Sequence, residues 1–293
     1  MGQPPRRPRP RVRRRVPGEP LAHRARARPR SRARSALVIE LLLFRTGAVD
    51  ITRGAFAPWL DASVAIERVV APVWSALIRT PEGNIVFDTG LHPVHVSNPY
   101  ATFGKPPPDR EGLAMRIVMK EEDAIVARLA SLGVKPDDVA IVVNSHLHFD
   151  HAGNNGAFPH ATFVVQAEHL AFARGKPNFP GVYWDIAELR YLPVTGRTRV
   201  ATGVEVVPTP GHAPGHQSLV VDLAESGRVV LTGDAAFTRE NVVRRQTTAM
   251  DEDEARESLV LIRTLANGDL TRVFTSHDAD SWATWRHAPA SYR

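Results

Sequence analysis

Residues 144–153 read NSHLHFDHAG and directly follow the run Val139-Ala140-Ile141-Val142-Val143. That run is short, apolar and mostly β-branched. It suits a buried strand, because branched side chains fit the pleat and the run is too short for helical periodicity. His146, His148, Asp150 and His151 therefore stand just past the carboxyl end of a strand, where open α/β sheets place their chemistry. Four such polar side chains within six positions are too costly to bury as ordinary core.

Three further positions share this context. His212 lies in Pro208-Thr209-Pro210-Gly211-His212-Ala213-Pro214-Gly215-His216, Asp234 follows Val229-Val230-Leu231-Thr232-Gly233, and His277 follows Val273-Phe274-Thr275-Ser276. Each is preceded by an apolar, strand-like run. Neutral imidazole and carboxylate suit zinc and related divalent ions. Seven candidates exceed one tetrahedral ion and suit two ions that share a carboxylate. The chain has no cysteine, so thiolate ligands and disulfides are excluded.

With 293 residues and 43% hydrophobic content, the chain can build a sizeable core. Its net charge of +6 is unevenly spread: residues 1–35 hold 13 arginines and one acid, Glu19, leaving 24 basic against 30 acidic residues in the rest. The Arg- and Pro-rich segment 1–35 has too few aliphatic residues to fold and is expected to be a disordered tail, either a leader or an upstream start. Its lack of interleaved aromatic residues argues against a nucleic-acid arm, and an acidic remainder argues against polynucleotide substrates. No apolar run reaches the eighteen or so residues of a membrane span, and the tail lacks the apolar segment of a secretory signal. A cytoplasmic location and possible homodimer formation are expected.

Residues 36–293 form one continuous pattern without a linker and are expected to be one domain. Residues 37–43 and 49–51 are expected to form a strand pair around Arg45-Thr46-Gly47. Residues 71–79 and 84–88 predict a hairpin turned by Pro81-Glu82-Gly83. Residues 91–118 are polar and Pro-rich, expected to be a surface loop shaping a pocket or interface. Helices are expected over 121–132, 168–173 and 253–266, the first and last with acids in the first turn and glycine past the end. Further strands are expected at 161–165, 204–207, 218–222, 229–231 and 272–275. Strand sets punctuated by amphipathic helices indicate α/β layering. Asp88 is expected to orient a ligand or shape a turn, and His216 to play a supporting part. His92, His95, His160, His169 and His287 read as ordinary surface or loop residues.

The motif H-x-H-x-D-H, followed by a histidine in a Gly-rich turn, then an aspartate and a final histidine, resembles the metallo-β-lactamase superfamily. The segments SHLHFDHAGNNGAFP, TPGHAPGHQS, TGDAAFT and SHDADSWATWRHAPASY resemble its N-acyl homoserine lactone and γ-butyrolactone hydrolases over residues 37–293. The resemblance implies an αβ/βα four-layer sandwich with a dinuclear site at its edge. His146, His148 and His212 would hold one ion, Asp150, His151 and His277 the other, and Asp234 would bridge them. Zinc is the usual metal, with iron, cobalt or manganese as alternatives. A metal-bridging hydroxide would open the lactone ring, Asp150 would help protonate the departing alkoxide, and Phe149 would line the acyl pocket. Phe237 also faces substrate in this scheme, but relatives often read TIDAAYT where this chain has Thr232 to Thr238, so their tyrosine hydroxyl is absent. A different lactone, ester or thioester is the alternative substrate. Zero cysteines argue against the thiolate site of common β-lactamases, and the 16 residues after His277 leave no helical C-terminal domain to expect.

Overall fold

The computed structural model describes residues 38–293, so the expected tail at 1–35 lies outside the described residues. Among the described residues, twelve strands form two sheets. The first contains β1 (Glu40–Thr52), β2 (Arg68–Thr80), β3 (Gly83–Phe87), β4 (Arg116–Val118), β5 (Val139–Val143), β6 (Thr162–Gln166) and β7 (Arg190–Val194) in the order β4-β1-β2-β3-β5-β6-β7. The second contains β8 (Thr198–Ala201), β9 (Val204–Pro208), β10 (Gln217–Leu223), β11 (Gly227–Leu231) and β12 (Val273–Phe274) in the order β12-β11-β10-β9-β8. Six α-helices lie among the described residues: α1 (Ala62–Ala65), α2 (Ile125–Ser131), α3 (Ala167–Ala173), α4 (Arg239–Arg244), α5 (Glu252–Leu265) and α6 (Ala279–Trp282). None among the described residues is long and apolar enough to cross a membrane.

The central strands bury both faces, and strand alternation sorts their side chains into three layers. Leu41, Leu43, Ile78, Ile85 and Val143 point inward to meet Val206, Leu219, Val221 and Leu231 of the second sheet. Leu42, Phe44, Leu77 and Val142 point the other way, onto Ile125 and Leu129 of α2. Val207, Val220 and Val230 pack outward on Leu259, Ile262 and Leu265 of α5. The result is the expected four-layer αβ/βα sandwich.

Three expectations are corrected. Residues 40–52 make one continuous strand rather than a pair: β1 follows β2 throughout, with a register shift between Arg45 and Gly47. Gly47 takes φ +130°, and any Cβ there would lie 2.5 Å from Leu91 Cδ1, so the glycine serves a bulge and close packing instead of a turn. The helix expected at 121–132 is split. The buried Asp123 carboxylate accepts the Lys120 N–H (3.1 Å) and binds Arg45 and Arg128, which ends a 3-10 turn before α2 begins. Residues 91–118 are more than a loop, since β4 adds to the edge of β1 and Arg116 donates to Asp50 (2.9 Å).

Candidate metal centre

β5, β9, β11 and β12 end at one edge of the sandwich, and the segments that follow them bring all seven sequence-derived residues together. Each lies within eight residues of a strand end: His212 is four past β9, in the 209–216 turn, and His151 is eight past β5. His146, His148, His212 and Asp234 form one group able to hold an ion, and Asp150, His151 and His277 form a second, with the ligand atoms of each group within 4.8 Å of one another. In the first group His148 Nδ1 lies 2.8 Å from His146 Nε2 and 3.1 Å from His212 Nε2. In the second, Asp150 Oδ2 lies 3.5 Å from His277 Nε2 and 3.8 Å from His151 Nε2. Asp234 turns one oxygen to each group. Its Oδ2 is 3.5 Å from His212 and 3.7 Å from His146, while its Oδ1 is 3.1 Å from His151 and 3.4 Å from His277.

The far sides of three of the rings, those of His146, His151 and His277, are tied down. His151 Nδ1–H donates to Asp88 Oδ2 (2.7 Å), and His277 Nδ1–H donates to Pro72 O (2.9 Å). The Ser145 hydroxyl donates to Asp88 Oδ2 (2.8 Å) and accepts from His146 Nδ1 (3.0 Å). Asp88 also accepts the Ser145 N–H (2.7 Å), from a left-handed backbone at φ +53° that aspartate tolerates better than most residues. These bonds point the Nε2 atoms of His146, His151 and His277 into the site, as outer partners of metal-binding histidines do.

The charges divide along the same line. Burial, reinforced by the neighbouring imidazoles, pushes His146 and His148 well below the ordinary histidine range, and burial takes His212 to about 4. They are neutral bases, the form that ligates. Burial also disfavours charge on His151 and His277, but nearby carboxylates, Asp234 foremost, outweigh it and raise both. Burial pushes Asp150 up, with Asp234 adding to the rise, whereas His151 and His277 outweigh burial at Asp234 and hold it well below the carboxylate range. His151 Nε2 and Asp234 Oδ1 are buried and face each other without a hydrogen bond. Unpartnered buried polar atoms are expensive, and a cation between them would satisfy both. The donor set thus fits a pair of divalent ions.

Phe149 is buried beside these groups, with its ring edge-on to Phe103 (centroids 5.0 Å apart). Phe103, Tyr100, Met115 and Ile117 help line a mostly apolar cavity of about 380 Å³. Phe237 packs near both His212 (5.5 Å) and His277 (5.9 Å) and presents a bare ring there. A second cavity, about 600 Å³, is lined by Phe56, Trp59, Arg68, His277 and Asp278.

Two histidines expected at the surface are buried. His95 is 1% exposed and its Nε2 accepts from Thr102 Oγ1 (3.0 Å), tying residues 91–104 together. His169 is fully buried on the inner face of α3 and accepts the Leu147 N–H (2.9 Å) between two candidate ligands. The only hint in the sequence was its place beside Leu170 and Ala173, the buried stripe of that helix.

Residues 68–277 match the model of the metallo-beta-lactamase superfamily. An N-acyl homoserine lactonase of Bacillus cereus is 37% identical over 213 residues, covering 71% of this chain and 82% of that protein. The N-acyl homoserine lactonase AttM of Azorhizobium caulinodans is 34% identical over 241 residues, covering 75% and 87%. Among solved structures, an N-acyl homoserine lactone hydrolase with the product N-hexanoyl-L-homoserine at its catalytic metal centre matches with a TM-score of 0.78. It is 32% identical, and the match covers 87% of this chain and 99% of that one.

Proposed function

Because this chain belongs to the metallo-β-lactamase superfamily and, within it, to the N-acyl homoserine lactonases, we propose that it hydrolyses the lactone ring of N-acyl homoserine lactones, the reaction of quorum quenching. The observation that carries the reading is the pair of ligand groups joined through Asp234.

His146, His148 and His212 would hold one ion, Asp150, His151 and His277 the other, and Asp234 both. Two divalent ions, zinc foremost and iron, cobalt or manganese as alternatives, supply Lewis acidity toward a carbonyl oxygen and lower the pKa of water when bound. The chain's own residues do the rest. Water adds across the acyl C–O bond of the ring, giving a carboxylate and a free hydroxyl. Asp150, whose pKa burial and Asp234 raise, is suited to deliver a proton to the departing alkoxide oxygen. Phe149, through its contact with Phe103, and the mostly apolar cavity that Phe103 helps line offer the acyl chain an apolar seat, and Phe237 covers the face between His212 and His277.

Phe237 supports a second reading. Without a hydroxyl to hydrogen-bond the carbonyl or leaving oxygen, catalysis on homoserine lactones would be slowed by about one to three orders of magnitude, which favours another lactone, ester or thioester as the better substrate. Elemental analysis together with base-consumption assays on hexanoyl- and decanoyl-homoserine lactone tests both. Two divalent ions per chain and turnover of at least one lactone are expected. A metal-free protein, or one inert toward every lactone offered, would sink the proposal.

A further inference from the structure

We propose that His169 is a positioning residue, a neutral imidazole strut that sets the spacing of the group formed by His146, His148 and His212. Its Nδ1 lies 2.8 Å from Pro214 O, a carbonyl that can only accept, so Nδ1 carries the proton. Its Nε2 is therefore bare and accepts the Leu147 N–H at 2.9 Å. Leu147 stands between His146 and His148, and Pro214 lies two residues past His212. One rigid ring thus spans the two loops that supply the group.

The seat of the strut is tight. A Cβ on Gly215 would strike the backbone N of His169, which holds α3 close against the 209–216 turn. The His169 ring also stands edge-on to Phe179 (5.3 Å), and Phe179 stacks on His148 (4.3 Å). His216 repeats the pattern on the other side of the turn. Its Nδ1–H donates to Thr209 O (3.0 Å) and its Nε2 accepts the Asp234 N–H (3.1 Å). The second group is tied elsewhere, His151 to Asp88 and His277 to Pro72. Loss of His169 should therefore loosen one ion and spare the other.

The inference rests on the reading of the two groups as metal ligands. An asparagine can place its amide N–H where Nδ1 sits, and a glutamine its carbonyl oxygen where Nε2 sits, but neither makes both bonds. Metal-depleted wild type, His169→Asn and His169→Gln are titrated with Zn²⁺ and Co²⁺, with stepwise affinity read by calorimetry and the Co²⁺ absorption bands. His160→Asn, on the exposed surface, is the control. Wild type and control are expected to bind two ions tightly. Each His169 variant is expected to keep one tight site and weaken the other by about 10–100-fold, with kcat falling more than KM rises. Variants that bind both ions as tightly as wild type, weaken both equally, or fail to fold would overturn the strut in favour of a general core role. A wild type that binds no metal would overturn the proposed function with it.

Discussion

Asp234 lends an oxygen to each ligand group, so its loss cannot be confined to one of them. Asp234→Asn is expected to weaken both ions together and to cut activity by more than the roughly 10–100-fold that loss of an outer partner costs; metal stoichiometry after dialysis checks this. Protons compete for the same sites. In the metal-free protein, carboxylates outweigh burial and raise His151 and His277 above the ordinary range, so both keep their protons to higher pH than a free imidazole, and a cation must displace them. Affinity for the group that contains them should fall as the pH drops and rise until the raised pKa values are passed. Calorimetry at pH 7 in buffers of different ionisation heat should register net proton release, and zero release would contradict this account. Phe237→Tyr places a hydroxyl where relatives carry one. It should raise kcat on homoserine lactones by about tenfold or more, while an unchanged kcat would show that this chain had replaced the donor elsewhere.

At the scale of elements, the 209–216 turn depends on close backbone packing. Gly211 adopts φ +117°, its carbonyl accepts the N–H groups of Met250 and Asp251, and a Cβ on it would strike the backbone of Ala255 in the first turn of α5. Gly211→Ala should cost about 2–4 kcal/mol, seen as a lower urea midpoint with an unchanged slope. Most of the sandwich and all seven candidate ligands were legible because short apolar runs bounded by polar residues mark strand ends. β5 was read to its last residue. β1 departs from the expected pair because glycine signals a turn and a bulge alike, and what decides between them is Leu91, over forty residues away in sequence. β4, β7 and β8 leave little local signal: they are short, and β7 is rich in exposed positions, so neither length nor apolar periodicity marks them. His169 escaped for a related reason. Its burial depends on loops around Leu147 and Pro214, which no local pattern connects to it.

For the molecule as a whole, the described residues 38–293 contain both sheets and every candidate ligand. Deleting residues 1–35 is therefore expected to leave metal content and lactone hydrolysis unchanged, and a drop in either would assign the segment a part in the site. The candidate ligands come from both sheets: His146 to His151 follow β5 in the first, while His212, Asp234 and His277 follow β9, β11 and β12 in the second. That arrangement sets an order in time. Contacts so distant along the chain close late, after the sheets have met, so ions held by these residues would grip only a nearly finished molecule. They should act as a latch against opening: a chelator should speed unfolding in denaturant severalfold while leaving the refolding rate almost untouched.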